Sequence, residues 1–265
     1  MFDTRQRPCR LVVLLGAFLI AASFDAARAD EPNEFERIVS EKGPALVTIK
    51  FVLKIRGGGF DRERESEITG IMIDPKGMVL CSNTQIGGSP GMFRRMRGSA
   101  KPSDIKILVG DDTEGLKAKL IAKDSELDLA WLQVTEPPET DYTFVDLTKI
   151  ATVGVGQRVL ALGRLGKYFD RTAVISEGRI GGMTSKPRDL YIPATSFVGG
   201  FGVPIFTPAG ELVGVTVIQM PDTEDAAMQS SATRGGRSGL ILPAADVARA
   251  TKLAKEAAAE NDDEQ

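Results

Sequence analysis

Short runs in which apolar and polar residues alternate fill most of this chain. In "TIKFVLKI", Ile49, Phe51, Leu53 and Ile55 alternate with Lys50, Val52 and Lys54, the period-2 pattern of a half-buried strand. "EITGIMIDPKGMVLCSN" reads as a hairpin, because Asp74-Pro75-Lys76-Gly77 supplies turn chemistry between two apolar arms. "DIKILVG", "LKAKLIAKD" and "LDLAWLQV" predict further strands. After the acidic, proline-bearing "TEPPETDYTFVDL" the pattern resumes in "GQRVLALGR", "TAVISEGRIGGM", "VPIFTPAGELVGVTVIQM" and "SGLILP", with "TPAG" at 207–210 as a second hairpin turn. Two strand-rich halves with regular turn signals predict an all-β chain of two barrels. Beyond Pro243, Ala244 to Glu260 are strong helix formers and predict a closing helix. The expected organisation is an N-terminal segment at 30–43, a first barrel at 44–145, a second barrel with its helix at 146–255, and a solvated acidic tail at 256–265.

The first residues break this pattern. Arg5, Arg7 and Arg10 precede an apolar run from Leu11 to Ala22, and Ala27-Arg28-Ala29 places small residues before Asp30. This is the pattern of a secretory signal over 1–29, cut after Ala29, and it predicts a secreted or periplasmic protein. The run is shorter than the roughly 20 apolar residues of a spanning helix; an uncleaved anchor is the alternative. No other membrane span is expected.

Composition narrows the chemistry. Cleavage removes four basic groups (Arg5, Arg7, Arg10, Arg28) and two acidic ones (Asp3, Asp25). The 33 basic and 36 acidic residues then become 29 and 34, a net charge of −5, and nothing favours a nucleic-acid partner. Cys9 lies in the signal, so Cys81 has no intrachain disulfide partner. The chain contains no histidine, which excludes an imidazole base and histidine metal sites. No metal or cofactor is expected. Two loops stand apart: the basic, glycine-rich 87–104 with Arg94, Arg95 and Arg97, and the long polar 221–239. The first reads either as an exposed loop or as an anion or partner site, the second as a flexible connection.

Four ordered segments carry a resemblance: "GIMIDPKGMVLCSNTQIGG" at 70–88, "AKDSELDLAWLQV" at 122–134, "FVGGFGVPIFTPAGELVGVTVIQ" at 197–219, and "SGLILPAADVARATKLA" after it. Together they resemble the HtrA/DegP-like family of trypsin-fold serine proteases over roughly 40–255. The family reads G-F-I-I-D-x-x-G-x-I-L-T-N-x-H-V, then D-L-A-V-L-K-V, then G-N-S-G-G-P-L-x-N-x-x-G-E-L-I-G-I, then G-F-A-I-P. The resemblance implies two antiparallel β-barrels of the trypsin-like fold with a C-terminal helix. It also implies a catalytic triad in the cleft between the barrels, and that chemistry needs a hydroxyl nucleophile, an imidazole base, an orienting carboxylate and backbone N–H groups aimed at the oxyanion.

The triad positions are degenerate. The family histidine falls on Gln85, which is no base near neutral pH. The aspartate is retained as Asp128, where a carboxylate can also simply cap backbone N–H groups. The serine falls on Phe201. In the oxyanion turn Gly199 and Gly202 remain, but the last glycine becomes Val203. Phe201 reads either as packing, worth about 1.5–3 kcal/mol if fully buried, or as an aromatic contact for a peptide. Cys81 and Ser196 are alternative nucleophiles with a structural reading of their own. The expectation is an exported, catalytically inactive homologue that binds a peptide or protein. Trypsin-fold proteases hold substrate as an added strand, here along Val215, Thr216, Val217 and Ile218. An active hydrolase with an unusual nucleophile and a structural subunit of an envelope assembly are the alternatives. A homo-oligomer through 30–42 is compatible with the family. The chain runs only a short way past the family-like helix, so the PDZ module common in the family is not expected.

Overall fold

The structure, a computed structural model, describes residues 33–57, 60–88, 99–136, 138–219 and 239–263. The signal at 1–29, the arginines at 94, 95 and 97, and most of the 221–239 connection lie outside the described residues.

Among the described residues, twelve strands build two closed antiparallel barrels. In the first, β1 (Leu46–Gly57), β2 (Phe60–Met72), β3 (Met78–Ser82), β4 (Ser99–Val109), β5 (Leu116–Asp124) and β6 (Leu129–Val134) close in the order β1-β2-β3-β6-β5-β4. In the second, β7 (Arg158–Arg164), β8 (Ala173–Thr184), β9 (Leu190–Pro193), β10 (Pro204–Phe206), β11 (Leu212–Val217) and β12 (Leu240–Pro243) close as β10-β11-β12-β9-β8-β7. The alternating runs become these strands. β9 escapes that reading, because four residues are too few for a periodic pattern. The β1–β2 pair is longer than the alternation suggests and stays in register from Leu46↔Ile71 to Gly57↔Phe60. Ile49 and Phe51 are buried, whereas Ile55 is exposed where the arm leaves the barrel. Lys54–Glu63 at 3.1 Å and Lys50–Glu65 at 3.9 Å line this arm; such exposed pairs contribute little.

Among the described residues two helices flank the barrels: the closing helix is the expected one, and a further helix lies in the N-terminal segment. Segment 30–43 contains α1 (Glu34–Lys42). Phe35, Ile38 and Val39 share one side at helical spacing, with Ile38 fully buried. This side lies on the second barrel: Ile38 Cδ1 packs at Gly210, Arg37 donates to the carbonyl of Pro208, and Glu34 pairs with Arg158 of β7. The C-terminal helix α2 (Ala244–Asp263) continues through the stretch expected to be a tail. Alanines and the Lys252–Glu256 pair at i,i+4 support the extension. α2 follows β12 and packs across both barrels, on β11 and β12 of the second and on β5 of the first. Trp131 Nε1 of β6 donates to Thr251 Oγ1 at 3.0 Å, and Lys255 reaches Asp74 at 2.6 Å. Val247, Ala250, Thr251 and Ala254 form its buried stripe. Among the described residues no helix is long and apolar enough to cross a membrane.

One apolar core runs from Leu46, Phe51, Leu80 and Trp131 into Phe206, Val215 and Val247. A smaller cluster, including Val159, Ile205, Val213 and Ile241, fills the second barrel. The triad positions Gln85, Asp128 and Phe201 gather at the seam where the barrels meet.

Candidate functional site

Asp128 sits just before β6 with φ +59°, a left-handed backbone that Asp tolerates better than most residues. Its side chain is buried and accepts three hydrogen bonds. Thr84 N donates to Oδ1 at 2.7 Å; Ser82 Oγ and Ile218 N donate to Oδ2, each at 2.9 Å. Ile218 follows β11, so this carboxylate ties the second barrel to the first. Burial pushes its pKa up, against the pull of those hydrogen bonds.

Gln85 lies in the turn that follows β3. Ser82 organises this turn, because its hydroxyl accepts Gln85 N–H at 3.3 Å while donating to Asp128. The side-chain carbonyl Oε1 of Gln85 is buried and has no hydrogen-bond partner among the described residues. Its amide nitrogen lies against the glycine turn: a Cβ at Gly200 would stand 3.4 Å from Gln85 Nε2. The carboxylate's acceptor positions are filled without the Gln85 side chain, so these two positions are neighbours and not a hydrogen-bonded relay.

Phe201 occupies the centre of that turn. Gly199, Gly200 and Gly202 have φ of +106°, +82° and +75°, a conformation that side chains strain to reach. Gly202 also approaches the first barrel, where a Cβ would stand 2.9 Å from Ser82 N. The half-buried ring of Phe201 lies beside Gly239, just before β12. Val203 is fully buried; its N–H donates to Thr216 Oγ1 at 2.9 Å, and its methyls pack at Gly199.

The expected peptide-binding edge at Val215–Ile218 needs correction. β11 is an interior strand, with Val215 opposite both Pro204 and Leu242, Thr216 opposite Ile241, and Val217 opposite Leu240. Thr216 also exchanges backbone bonds with Gly202 and Val203. Both edges of the strand are taken, and Ile218 N–H is held by Asp128. Alternation revealed which residues face inward, but carried no information about which edge is paired.

The seam opens into a cavity of about 140 Å³ lined by Thr48, Glu67, Thr69, Gln85, Arg164 and Gly199, among others. Arg164 ends β7. Its Nε donates to Leu46 O and its Nη1 to Arg171 O, both at 3.1 Å. Arg171 in turn makes a two-pronged pair with Glu67 of β2, at 3.1 and 2.7 Å. Sequence reasoning missed Arg164, Arg171 and Ser82, and named Thr216 only as part of a binding edge. Their partners are backbone atoms or distant side chains, and nothing in their local pattern marks them.

The alternative nucleophiles are poorly placed. Cys81 is fully buried on β3, and burial pushes its thiol pKa up. Ser82 touches a carboxylate but has no exposed surface. Ser196 is exposed, and among the described residues it has no lysine or carboxylate partner. Among the described residues, no group of three or more Cys, Asp or Glu side chains is placed to hold a metal ion.

Comparisons with known proteins fit this arrangement. The model of the trypsin-like peptidase domain matches residues 68–215, which contain Gln85, Asp128 and Phe201. A probable periplasmic serine endoprotease, DegP-like, from Pseudomonas savastanoi pv. phaseolicola is 33% identical over 247 residues, covering 76% of this chain and 47% of that protein. A probable periplasmic serine protease, do/HhoA-like, from Haemophilus influenzae is 26% identical, covering 81% of this chain and 44% of that protein. The chain thus spans about half the length of the curated relatives it matches. Among solved structures, the MamO protease domain from Magnetospirillum magneticum superposes with a TM-score of 0.50 at 17% identity, over 79% of this chain and 96% of that one. The HtrA-type protease AlgW, solved with a tripeptide, gives 0.53 at 18% identity, over 83% and 60%. At these identities the likeness is one of fold, and that fold is trypsin-like.

Proposed function

Because this chain belongs to the trypsin-like peptidase domain family, among relatives of the HtrA/DegP type, we propose that it acts as an exported pseudoprotease that binds peptides or proteins without cleaving them. One observation carries the reading. Phe201 stands in the turn that would present the nucleophile, beside Gln85 where the base would stand, in a chain with no histidine. Acyl transfer at such a site needs a nucleophile and a group to take its proton. Neither phenyl ring nor carboxamide supplies them. What a trypsin-like site keeps without its triad is about 10³–10⁴-fold over water, from the oxyanion hole and binding, and Val203 alters that turn as well.

The seam keeps what binding requires. The glycine turn and the small cavity beside Gln85 form a surface between the barrels, held from beneath by the buried Asp128. The surface for an extended partner is this seam, in place of the β11 edge. Export to the periplasm rests on the signal pattern at 1–29 and on the naming of the relatives as periplasmic.

A restoration series tests the reading. Casein and a peptide library are incubated with wild type and with Gln85→His, Phe201→Ser and Val203→Gly, singly and combined. No cleavage is expected from wild type or any single variant, and measurable proteolysis only from the triple. Cleavage by the wild type that disappears on one point substitution would overturn the proposal.

A further inference from the structure

We propose that the seam selects partners by a carboxylate, which Arg164 receives. The inference rests on the reading of the seam as a peptide-binding site and names the chemistry of its occupant.

Arg164 is pinned from two sides. Its Nε and Nη1 are spent on the carbonyls of Leu46 and Arg171, which fix the plane of the guanidinium. Among the described residues, Nη2 makes no hydrogen bond and no carboxylate lies within ion-pair distance of this side chain. Asp111 acts on it only from farther away. The residue is half-buried, yet a guanidinium keeps its charge in such a setting. A positive charge drawn from water without a partner is unfavourable, and a carboxylate is its natural complement.

The cavity around it fits that complement. Glu67 is on the same wall, but both of its oxygens are engaged by Arg171. That pair is neutral as a unit, so Arg164 leaves one uncompensated positive charge on the wall. Thr48 and Thr69 line the same wall, and the Thr69 hydroxyl donates to the carbonyl of Arg164 at 3.5 Å. At about 140 Å³ the space is well below the usual 300 Å³ or more of drug-sized pockets, and suits one acidic side chain or a chain end.

Gln85 supplies the second half of the recognition. Its Oε1 is buried without a donor and belongs to a residue lining the same cavity. Buried acceptors without partners are rare in native proteins. A peptide offers an N–H within one residue of a carboxylate, so one ligand can satisfy both groups. The carboxylate accepts from Arg164, and the N–H donates to Gln85 once the carboxamide turns its buried Oε1 toward the cavity.

The carboxylate has two sources, a peptide C-terminus or an Asp or Glu side chain, and a panel of labelled peptides separates them. Four fluorescein-labelled hexapeptides share one neutral scaffold: free C-terminus, C-terminal amide, amide with a central Glu, and amide with a central Gln. Binding to the full chain is followed by fluorescence anisotropy. At low salt, one acid is expected to bind at least about 10-fold tighter than its amide isostere, and the gap narrows as salt rises. The preferred acid identifies the source. Arg164→Gln should close the gap to within about 2-fold and leave the amide peptides unchanged. Gln85→Leu should weaken acid and amide alike and keep the gap. Equal binding of acids and amides to wild type overturns the inference, leaves the peptide-binding reading standing, and needs no variant to fold. If no peptide of the panel or of a random library binds, the peptide-binding reading falls and this inference with it.

Discussion

Replacing Asp128 by asparagine removes one charge and one acceptor at the point where the barrels meet. The carboxylate serves Thr84 N–H on Oδ1, and Ser82 Oγ–H and Ile218 N–H on Oδ2. An asparagine has the same shape but one acceptor oxygen. Whichever way its amide turns, its NH2 faces a backbone donor, Thr84 N–H in one orientation and Ile218 N–H in the other. Ser82 can rotate its hydroxyl to compensate, but a backbone N–H cannot. One unsatisfied donor and one lost charge-assisted bond cost about 1–3 kcal/mol. For a domain of this size that lowers Tm by roughly 2–12 °C. Urea unfolding of wild type and Asp128→Asn at neutral pH measures the difference. A second measurement in mild acid tests its electrostatic origin. Burial raises the folded-state pKa of Asp128 above its unfolded value. The stability tied to that shift is fully present below the unfolded pKa and is lost as pH rises through the folded one. Wild type should therefore exceed the variant by most in acid, with the margin shrinking toward neutral pH. A margin that grows with pH would mean that the hydrogen bonds outweigh burial, and the raised pKa of this carboxylate would have to be abandoned.

Other substitutions probe the frame around the site. Gly214→Ala would place a Cβ 2.1 Å from Leu242 O, so β11 and β12 must part; a loss of about 3 kcal/mol in denaturant unfolding is expected, near the top of the overpacking range. Trp131→Phe removes the indole bond to Thr251 at 3.0 Å; about 1 kcal/mol of stability should go, with faster hydrogen exchange in α2 around Thr251. Cys81 should resist maleimide in the native protein and react once the chain is denatured, as read by site-resolved mass spectrometry, because burial keeps it a thiol.

The strands were legible because half-burial writes itself into alternation, as at Ile49 and Phe51. The site was legible because a glycine turn and its flanking strands hold their cadence even when the central residue is Phe201. What stayed hidden was set by tertiary pairing. The inward faces of Val215 and Val217 could be read, but their occupied edges could not, since edge pairing depends on strands far away in sequence. Arg164 looks like any strand-end arginine until Leu46 and Arg171 present their carbonyls to it. The helix at Glu34–Lys42 did carry a trace, the spacing of Phe35, Ile38 and Val39, in a segment too short to stand out.

The first element of the described body lies on the second barrel, and the last spans both barrels. During synthesis, β1 to β6 can therefore be complete on the ribosome while Trp131 still waits for Thr251, some 120 residues later. The first barrel does not gain its covering helix from its own contiguous piece of nascent chain. A polypeptide whose final helix seals its first barrel keeps that barrel incompletely covered until synthesis is nearly complete.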